Sequence, residues 1–279
     1  MSRKNLEKDQ GRRIFMIRRT IIAILMVLGA GTSVQAAETV TFKGSSPAEN
    51  GETLMLTGRL TRPKGNGPFP AVVLLHGCGG IRLYQDIWAE RLAGWGYVAL
   101  QVNSFGPRGA SEICSDTFLL LDLVSKRGRD AHDAGFYLSA LPFVDNRRIA
   151  VMGWSHGGWV VLDMLADNEE KKARFQAAIA LYPFCEASME NLNAPLLVLI
   201  GEQDDWCPAG RCSSRMPSGK TAYEVVLKIY PQAYHCFDWA GIDTIFSGHR
   251  LKYDPEATAD AVVQVRKFLA KCLTKGSLP

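Results

Sequence analysis

The feature that most constrains this chain is an apolar run, Arg148-Ile149-Ala150-Val151-Met152, that meets Gly153-Trp154-Ser155-His156-Gly157-Gly158 and continues into a helix-forming segment, Trp159 to Ala166. Strand, tight turn and helix in that order are the surroundings in which a G-x-S-x-G motif presents its serine. A residue perched on so sharp a turn has a strained backbone, and only neighbours without a Cβ leave it room. Gly153 and Gly157 supply that room. The start of the helix beyond Ser155 directs free N–H groups at the serine, which favours negative charge developing there. Ser155 is therefore a candidate nucleophile. A glycine-rich turn with an incidental serine has the same letters, so the rest of the chain must supply partners.

The apolar runs repeat along the chain. Ala71 to Leu75, Tyr97 to Val102, Arg148 to Met152, Ala177 to Tyr182, Leu196 to Ile200 and Tyr223 to Tyr230 read as strands. Most are continuous rather than alternating, as in strands buried on both faces of a parallel sheet. Leu54 to Leu60 reads as an antiparallel leading strand. Helix candidates lie between them: Asp86 to Ala93, Gly128 to Leu141 (Ala131, Ala134, Leu138 and Leu141 at helical spacing) and Pro255 to about Leu273. The order predicts an α/β fold, a doubly wound and mostly parallel sheet with helices on both faces. We see no internal repeat and no low-complexity linker, and expect one domain over residues 38–279. With 47% hydrophobic and 22% charged residues, such a chain can bury a core without staples.

A nucleophilic serine needs a base and an acid, which in this strand order follow it in the sequence as acid and then histidine. Of the five histidines, His76 and His132 precede Ser155, and His156 is its neighbour and cannot fold back on it. His235 follows the sixth strand and so shares a rim with Ser155, whereas His249 lies in a polar stretch and is expected to face solvent. His235 is the candidate base. Past the fifth strand, Gly201-Glu202-Gln203-Asp204-Asp205-Trp206 lies on the same rim. Asp204 is the candidate acid, with Asp205 as runner-up and Glu202 behind both. A carboxylate there would fix the imidazole tautomer and stabilise the imidazolium. For an oxyanion, the backbone N–H groups of His156 and of Cys78, in the His76-Gly77-Cys78-Gly79-Gly80 loop, are the candidates. That loop is no phosphate cradle, for it lacks G-x-x-x-x-G-K-[ST].

Five segments together resemble the dienelactone hydrolase family of α/β-hydrolases: Leu74-Leu75-His76-Gly77-Cys78-Gly79-Gly80, Ser104-Phe105-Gly106-Pro107-Arg108-Gly109, Gly153 to Gly158, Gly201 to Trp206 and Tyr234-His235-Cys236-Phe237-Asp238. The resemblance spans about residues 50 to 270. It implies an α/β-hydrolase fold and a hydrolase without a cofactor, and it favours Asp204 over Asp205. Founding members of the family carry cysteine where this chain has Ser155, and they act inside the cell on a dienelactone. The expectation is therefore the broader one, a serine hydrolase of carboxylic esters or lactones. The rival readings are a peptidase with the same triad and a binding protein on the same fold. Arg108 is a candidate for holding a substrate carboxylate, against a structural role tying its loop to backbone carbonyls. Trp88, Trp154, Trp159, Trp206 and Trp239 lie near the motifs. Singly each reads as core packing, and Trp154 is the candidate substrate contact.

The charge balance is uneven. The first 36 residues hold seven basic and two acidic side chains, a balance of +5, and the remaining 25 basic and 26 acidic leave −1. Nucleic-acid binding therefore has no basic patch to rest on. Arg18-Arg19, the apolar run Ile21 to Leu28 and small residues ending in Val34-Gln35-Ala36 have the order of a secretory signal cut before Ala37. The run is short for a membrane span, so no membrane contact is expected after cleavage. Met16 heads a self-sufficient signal. Arg12-Arg13 resembles a twin-arginine motif of the longer start, though Gly11 precedes it. Either route predicts a periplasmic or secreted protein, where disulfides form. Among seven cysteines, Cys185 with Cys212 or Cys207 with Cys212 are candidate pairs, and Cys78 facing Cys236 across the site is a redox alternative. With no C-x-x-C or H-E-x-x-H and scattered histidines, no metal is expected.

Overall fold

The computed structural model describes residues 33–47, 51–166 and 175–274. All but the last residues of the expected signal segment, 1–36, lie outside these. Eight strands form one sheet: β1 (Glu38–Pro47), β2 (Thr53–Thr61), β3 (Phe69–Leu75), β4 (Val98–Asn103), β5 (Val144–Trp154), β6 (Ala177–Leu181), β7 (Leu196–Gly201) and β8 (Val225–Tyr230). Their spatial order is β1-β2-β4-β3-β5-β6-β7-β8. The first two strands are antiparallel to their neighbours, and every pairing from β4 to β8 is parallel. The sequence mirrors this division. β6 and β7 are buried at every position, because helices cover both faces of the parallel part. β2 alternates, burying Leu54, Leu56, Gly58 and Leu60 while Thr53, Met55 and Arg59 are exposed, as suits an antiparallel strand with one face toward solvent.

The helices are α1 (Leu83–Gly94), α2 (Thr117–Ser139), α3 (His156–Ala166), α4 (Ala209–Arg215) and α5 (Pro255–Cys272). Asp116 caps α2 by accepting from the Leu119 N–H, and Asp254 caps α5 by accepting from Glu256 and Ala257, with Pro255 at the first turn. Among the described residues no helix is long and apolar enough to cross a membrane.

Several elements differ from expectation, among them α4, where no helix was expected. α2 starts at Thr117, eleven residues before the expected Gly128. Phe118 and Leu121 on its first turns are exposed, which spoils the apolar stripe. Gly128 is a packing position, where an added Cβ would lie 3.7 Å from Met164 Cβ of α3. β1 and a small hairpin, β9 (Asp243–Phe246) with β10 (His249–Lys252), were not expected at all. The hairpin touches the site. Leu251 pairs with His235, and the Lys252 N–H donates to the His235 carbonyl at 3.2 Å.

Candidate active site

Ser155 sits between the end of β5 and α3 with φ +53°, a left-handed conformation that few side chains adopt without compensation. Its N–H donates to the Leu181 carbonyl at 2.9 Å, and its carbonyl accepts from the Trp159 N–H at 2.9 Å. Both flanking glycines are sterically required. A Cβ on Gly153 would overlap the Gly157 carbonyl, and one on Gly157 would overlap the Leu75 carbonyl of β3. The backbone of the elbow is therefore clamped between β3 and β6.

His235, after β8, lies 3.0 Å through Nε2 from Ser155 Oγ and 2.7 Å through Nδ1 from Asp204 Oδ2. Asp204 follows β7. Its other oxygen accepts from the Trp206 and Cys207 N–H groups at 3.0 and 2.7 Å. Three donors thus converge on a buried carboxylate, whose oxygens act as acceptors. His235 Nδ1–H is consequently the donor to Asp204, and Nε2 is free to accept from the serine hydroxyl. The imidazole is almost wholly buried, between the rings of Tyr182 (4.7 Å) and Trp206 (5.2 Å). Asp205 has different work. It lies 3.6 Å from His249 Nδ1 and accepts from the Arg250 N–H, so it fastens the hairpin. His249 is only half free of the protein, for its ring stacks on Trp206 at 5.0 Å.

The loop after β3 closes the other side. A Cβ on Gly77 would lie 3.5 Å from Ser155 Cβ, so the backbone of this loop borders the nucleophile. Cys78 is anchored by a disulfide to Cys114 and by its carbonyl, which accepts from the Ile113 N–H. Neither the Cys78 nor the His156 amide serves a backbone carbonyl among the described residues, which leaves both as donors. The His156 side chain turns away into the protein, where Nδ1 meets Arg127 at 2.6 Å and Nε2 meets the Leu120 carbonyl at 2.7 Å. Burial first, and the Arg127 guanidinium second, pull this imidazole down to about 3. It is therefore neutral, accepting from Arg127 and donating to Leu120. Burial and the same guanidinium also hold His76 well below its ordinary value.

Two expected substrate contacts are corrected. Arg108 spends its fork on Asp130, with Nη1 and Nη2 at 2.8 and 2.9 Å from the two carboxylate oxygens, and Nη1 also reaches the Ser104 carbonyl. With a fully buried carboxylate on both terminal nitrogens, Arg108 fastens its loop to α2, the structural role rather than the substrate one. Trp154 is fully buried, and its indole N–H donates to Asp238 at 2.9 Å. Trp206, in contrast, is half-buried and packs between His235 and the small apolar cluster of Cys78, Phe105, Ile113 and Leu123. The cysteines also divide differently. Cys185 pairs with Cys212, but Cys78 pairs with Cys114, so it does not face Cys236 as a redox partner. Cys207 and Cys236 are free and buried, and desolvation pushes both thiols up, which makes them poor nucleophiles.

Several contributors escaped the sequence. Asp238 is buried and accepts from Trp88 (2.7 Å), Trp154 (2.9 Å) and the Tyr182 hydroxyl (2.6 Å). Burial raises its pKa and the three donors oppose that rise. Since Tyr182 packs on His235, this network braces the imidazole from behind. Asp204, Cys207 and His235 offer ligand atoms within 4.8 Å of one another, the one such group of three among the described residues. A cation there would have to displace the His235–Asp204 hydrogen bond.

The model of the dienelactone hydrolase family matches residues 56–273. A provisionally named carboxymethylenebutenolidase from Synechocystis sp. is 24% identical over 78% of this chain and 92% of its own length. A probable 2-oxo-3-(5-oxofuran-2-ylidene)propanoate lactonase from Bradyrhizobium sp. is 25% identical over 72% of this chain and 86% of its own. The crystal structure of a dienelactone hydrolase from Anabaena variabilis superposes with a TM-score of 0.59 at 18% identity, covering 86% of this chain and all of that one. With the family model matched along most of its length, this chain belongs to the dienelactone hydrolase family, on an α/β-hydrolase fold.

Proposed function

We propose that the protein is a serine hydrolase of small carboxylic esters or lactones, working through an acyl-enzyme with Ser155 as nucleophile, His235 as base and Asp204 as acid partner. The observation that carries this reading is the hydrogen-bonded chain from Ser155 Oγ through His235 to Asp204, at 3.0 and 2.7 Å, on a positive-φ elbow. His235 Nε2 takes the hydroxyl proton as Oγ bonds to the acyl carbon. The Cys78 and His156 amides receive the charge that moves onto the carbonyl oxygen. His235 then returns the proton to the departing alkoxide, and water repeats the sequence on the acyl-enzyme. No cofactor enters any of these steps. Relatives named as a lactonase and as a carboxymethylenebutenolidase support an ester or lactone substrate.

Residues 1–36 act as a cleaved export signal in this reading, and the enzyme works in the periplasm or outside the cell. The order of charges, apolar run and small residues supports it, as do two disulfides.

The test is to label the mature protein with a fluorophosphonate, locate the adduct, and assay p-nitrophenyl acetate and butyrate. The adduct should lie on Ser155, Ser155→Ala should abolish turnover, and Asp204→Asn should lower kcat by about 10³- to 10⁴-fold by stabilising the wrong imidazole tautomer. Full activity in Ser155→Ala sinks the proposal.

A further inference from the structure

Arg127 is a cation with no access to solvent. It stands on α2, and its guanidinium reaches both sides of the nucleophile. Nη1 donates to His156 Nδ1 at 2.6 Å, and Nη2 donates to the His76 carbonyl. Its plane lies 4.9 Å over the Phe105 ring. His76 leads directly into the loop that carries the Cys78 amide, and His156 is the other proposed oxyanion donor. One planar fork therefore ties together the two segments whose amides must point at the same atom.

The charge balance around Arg127 is as telling as the hydrogen bonds. The neighbouring carboxylate is Asp130, less than one turn along α2, and Arg108 holds both of its oxygens. Two guanidiniums share one buried carboxylate, and the adjacent imidazoles of His76 and His156 are neutral. A positive charge in excess is buried under the oxyanion loops, although burying a charge without its own counter-ion is costly. Desolvation accordingly lowers Arg127 to about 9. Its Nε hydrogen has no partner either. Among the described residues no carboxylate hydrogen-bonds Arg127 itself, and negative charge would develop beside this cluster when the carbonyl oxygen becomes an oxyanion.

We propose that Arg127 is a positioning residue for the hydrolytic step: it fixes the Cys78 and His156 amides relative to each other and supplies a buried positive charge that favours the tetrahedral intermediate over the neutral substrate. This rests on the assignment of Ser155 and its oxyanion donors. A field aimed at charge that develops only in the transition state raises kcat without tightening ground-state binding.

The experiment compares the parent with Arg127→Met and Arg127→Lys, using active sites titrated to completion with a fluorophosphonate. For each we would measure kcat per titrated site, KM, and inhibition by an alkyl boronic acid, whose serine adduct is an anionic tetrahedral mimic. Arg127→Met should lower kcat by about 10- to 100-fold, short of the ~10²–10³ for losing an oxyanion donor outright, with KM within about twofold. Boronate affinity should fall by a similar factor. Arg127→Lys keeps the charge but not the fork, and should fall between. A residue that only supports the fold would lower the number of titratable sites and leave kcat per site and boronate affinity unchanged, and that result overturns the proposal. If Arg127→Met yields no folded protein, Arg127→Lys decides on the same readouts. Activity surviving in Ser155→Ala would instead remove the hydrolase assignment beneath it.

Discussion

His156 should make this protein measurably less stable in weak acid. In the fold its imidazole is held neutral, with a pKa near 3 against 6.5 for an unhindered histidine, by burial and by Arg127. The unfolded chain takes up a proton as the pH falls below 6.5, and the folded one cannot follow until about 3. Stability is therefore complete above 6.5 and drains away as the pH drops through that window. Between about pH 7 and about pH 5 the unfolded state's excess of bound proton at this site grows from about a quarter to nearly one, and the integral is worth about 2 kcal/mol. That is a large share of a net stability of about 5–15 kcal/mol. His76, lowered for the same reasons, adds a loss of the same sign. His156→Gln removes the titration while keeping an oxygen to accept from Arg127 and an amide to donate to Leu120. Urea unfolding followed by far-UV circular dichroism at the two pH values measures the change. The parent should lose at least about 2 kcal/mol on acidification, and the variant about 2 kcal/mol less than the parent. Equal losses in the two proteins would refute a buried neutral His156.

Arg108→Ala should destabilise the fold by about 3–5 kcal/mol, because it strands a fully buried Asp130, and it should leave the KM ratio of carboxylate-bearing to neutral esters unchanged. A selective rise in KM for the charged ester would restore Arg108 as a substrate contact. Cys114→Ser opens the loop closed by the Cys78 disulfide, whose partners are 36 positions apart, and should lower unfolding stability by about 2–4 kcal/mol in the same urea assay. Identical curves for parent and variant without reductant would mean that the bridge does not form.

The parallel strands could be located from sequence because helices cover both their faces, so β6 and β7 are apolar at every position. The residues of the candidate triad were equally visible, since each must follow a strand at one rim, and chain order leaves few choices. What escaped has a common cause. Arg127, Asp130 and Asp238 are charged residues inside the protein, and no pattern in the chain separates a buried charge with partners from a solvated one. Their partners are remote in sequence: Trp88 bonds Asp238 across 150 positions. Arg108 and Trp154 went wrong for the same reason. Both sit beside a motif, but adjacency in the chain does not decide whether a side chain points into the cleft or beneath it. The β9–β10 hairpin was missed because β9 is exposed throughout and carries no alternation.

These hidden groups fall into two sets that serve opposite sides of the nucleophile. On one side α2 and the loop before it hold the oxyanion donors, through the Arg127 fork and the Cys78–Cys114 bridge. On the other, Asp238 braces Tyr182 against His235, while β10 grips the backbone of His235. Neither set shares a hydrogen bond with the other among the contacts that hold them. Ser155 lies between, its backbone fixed by the close approaches at Gly153 and Gly157 and its hydroxyl 3.0 Å from His235 Nε2. The elbow itself tolerates little change, since a Cβ at Gly153 or Gly157 collides with a neighbouring carbonyl. The two supports are thus distinct hydrogen-bonded frames around one nucleophile, joined in packing by Trp206 between His235 and the Cys78 cluster.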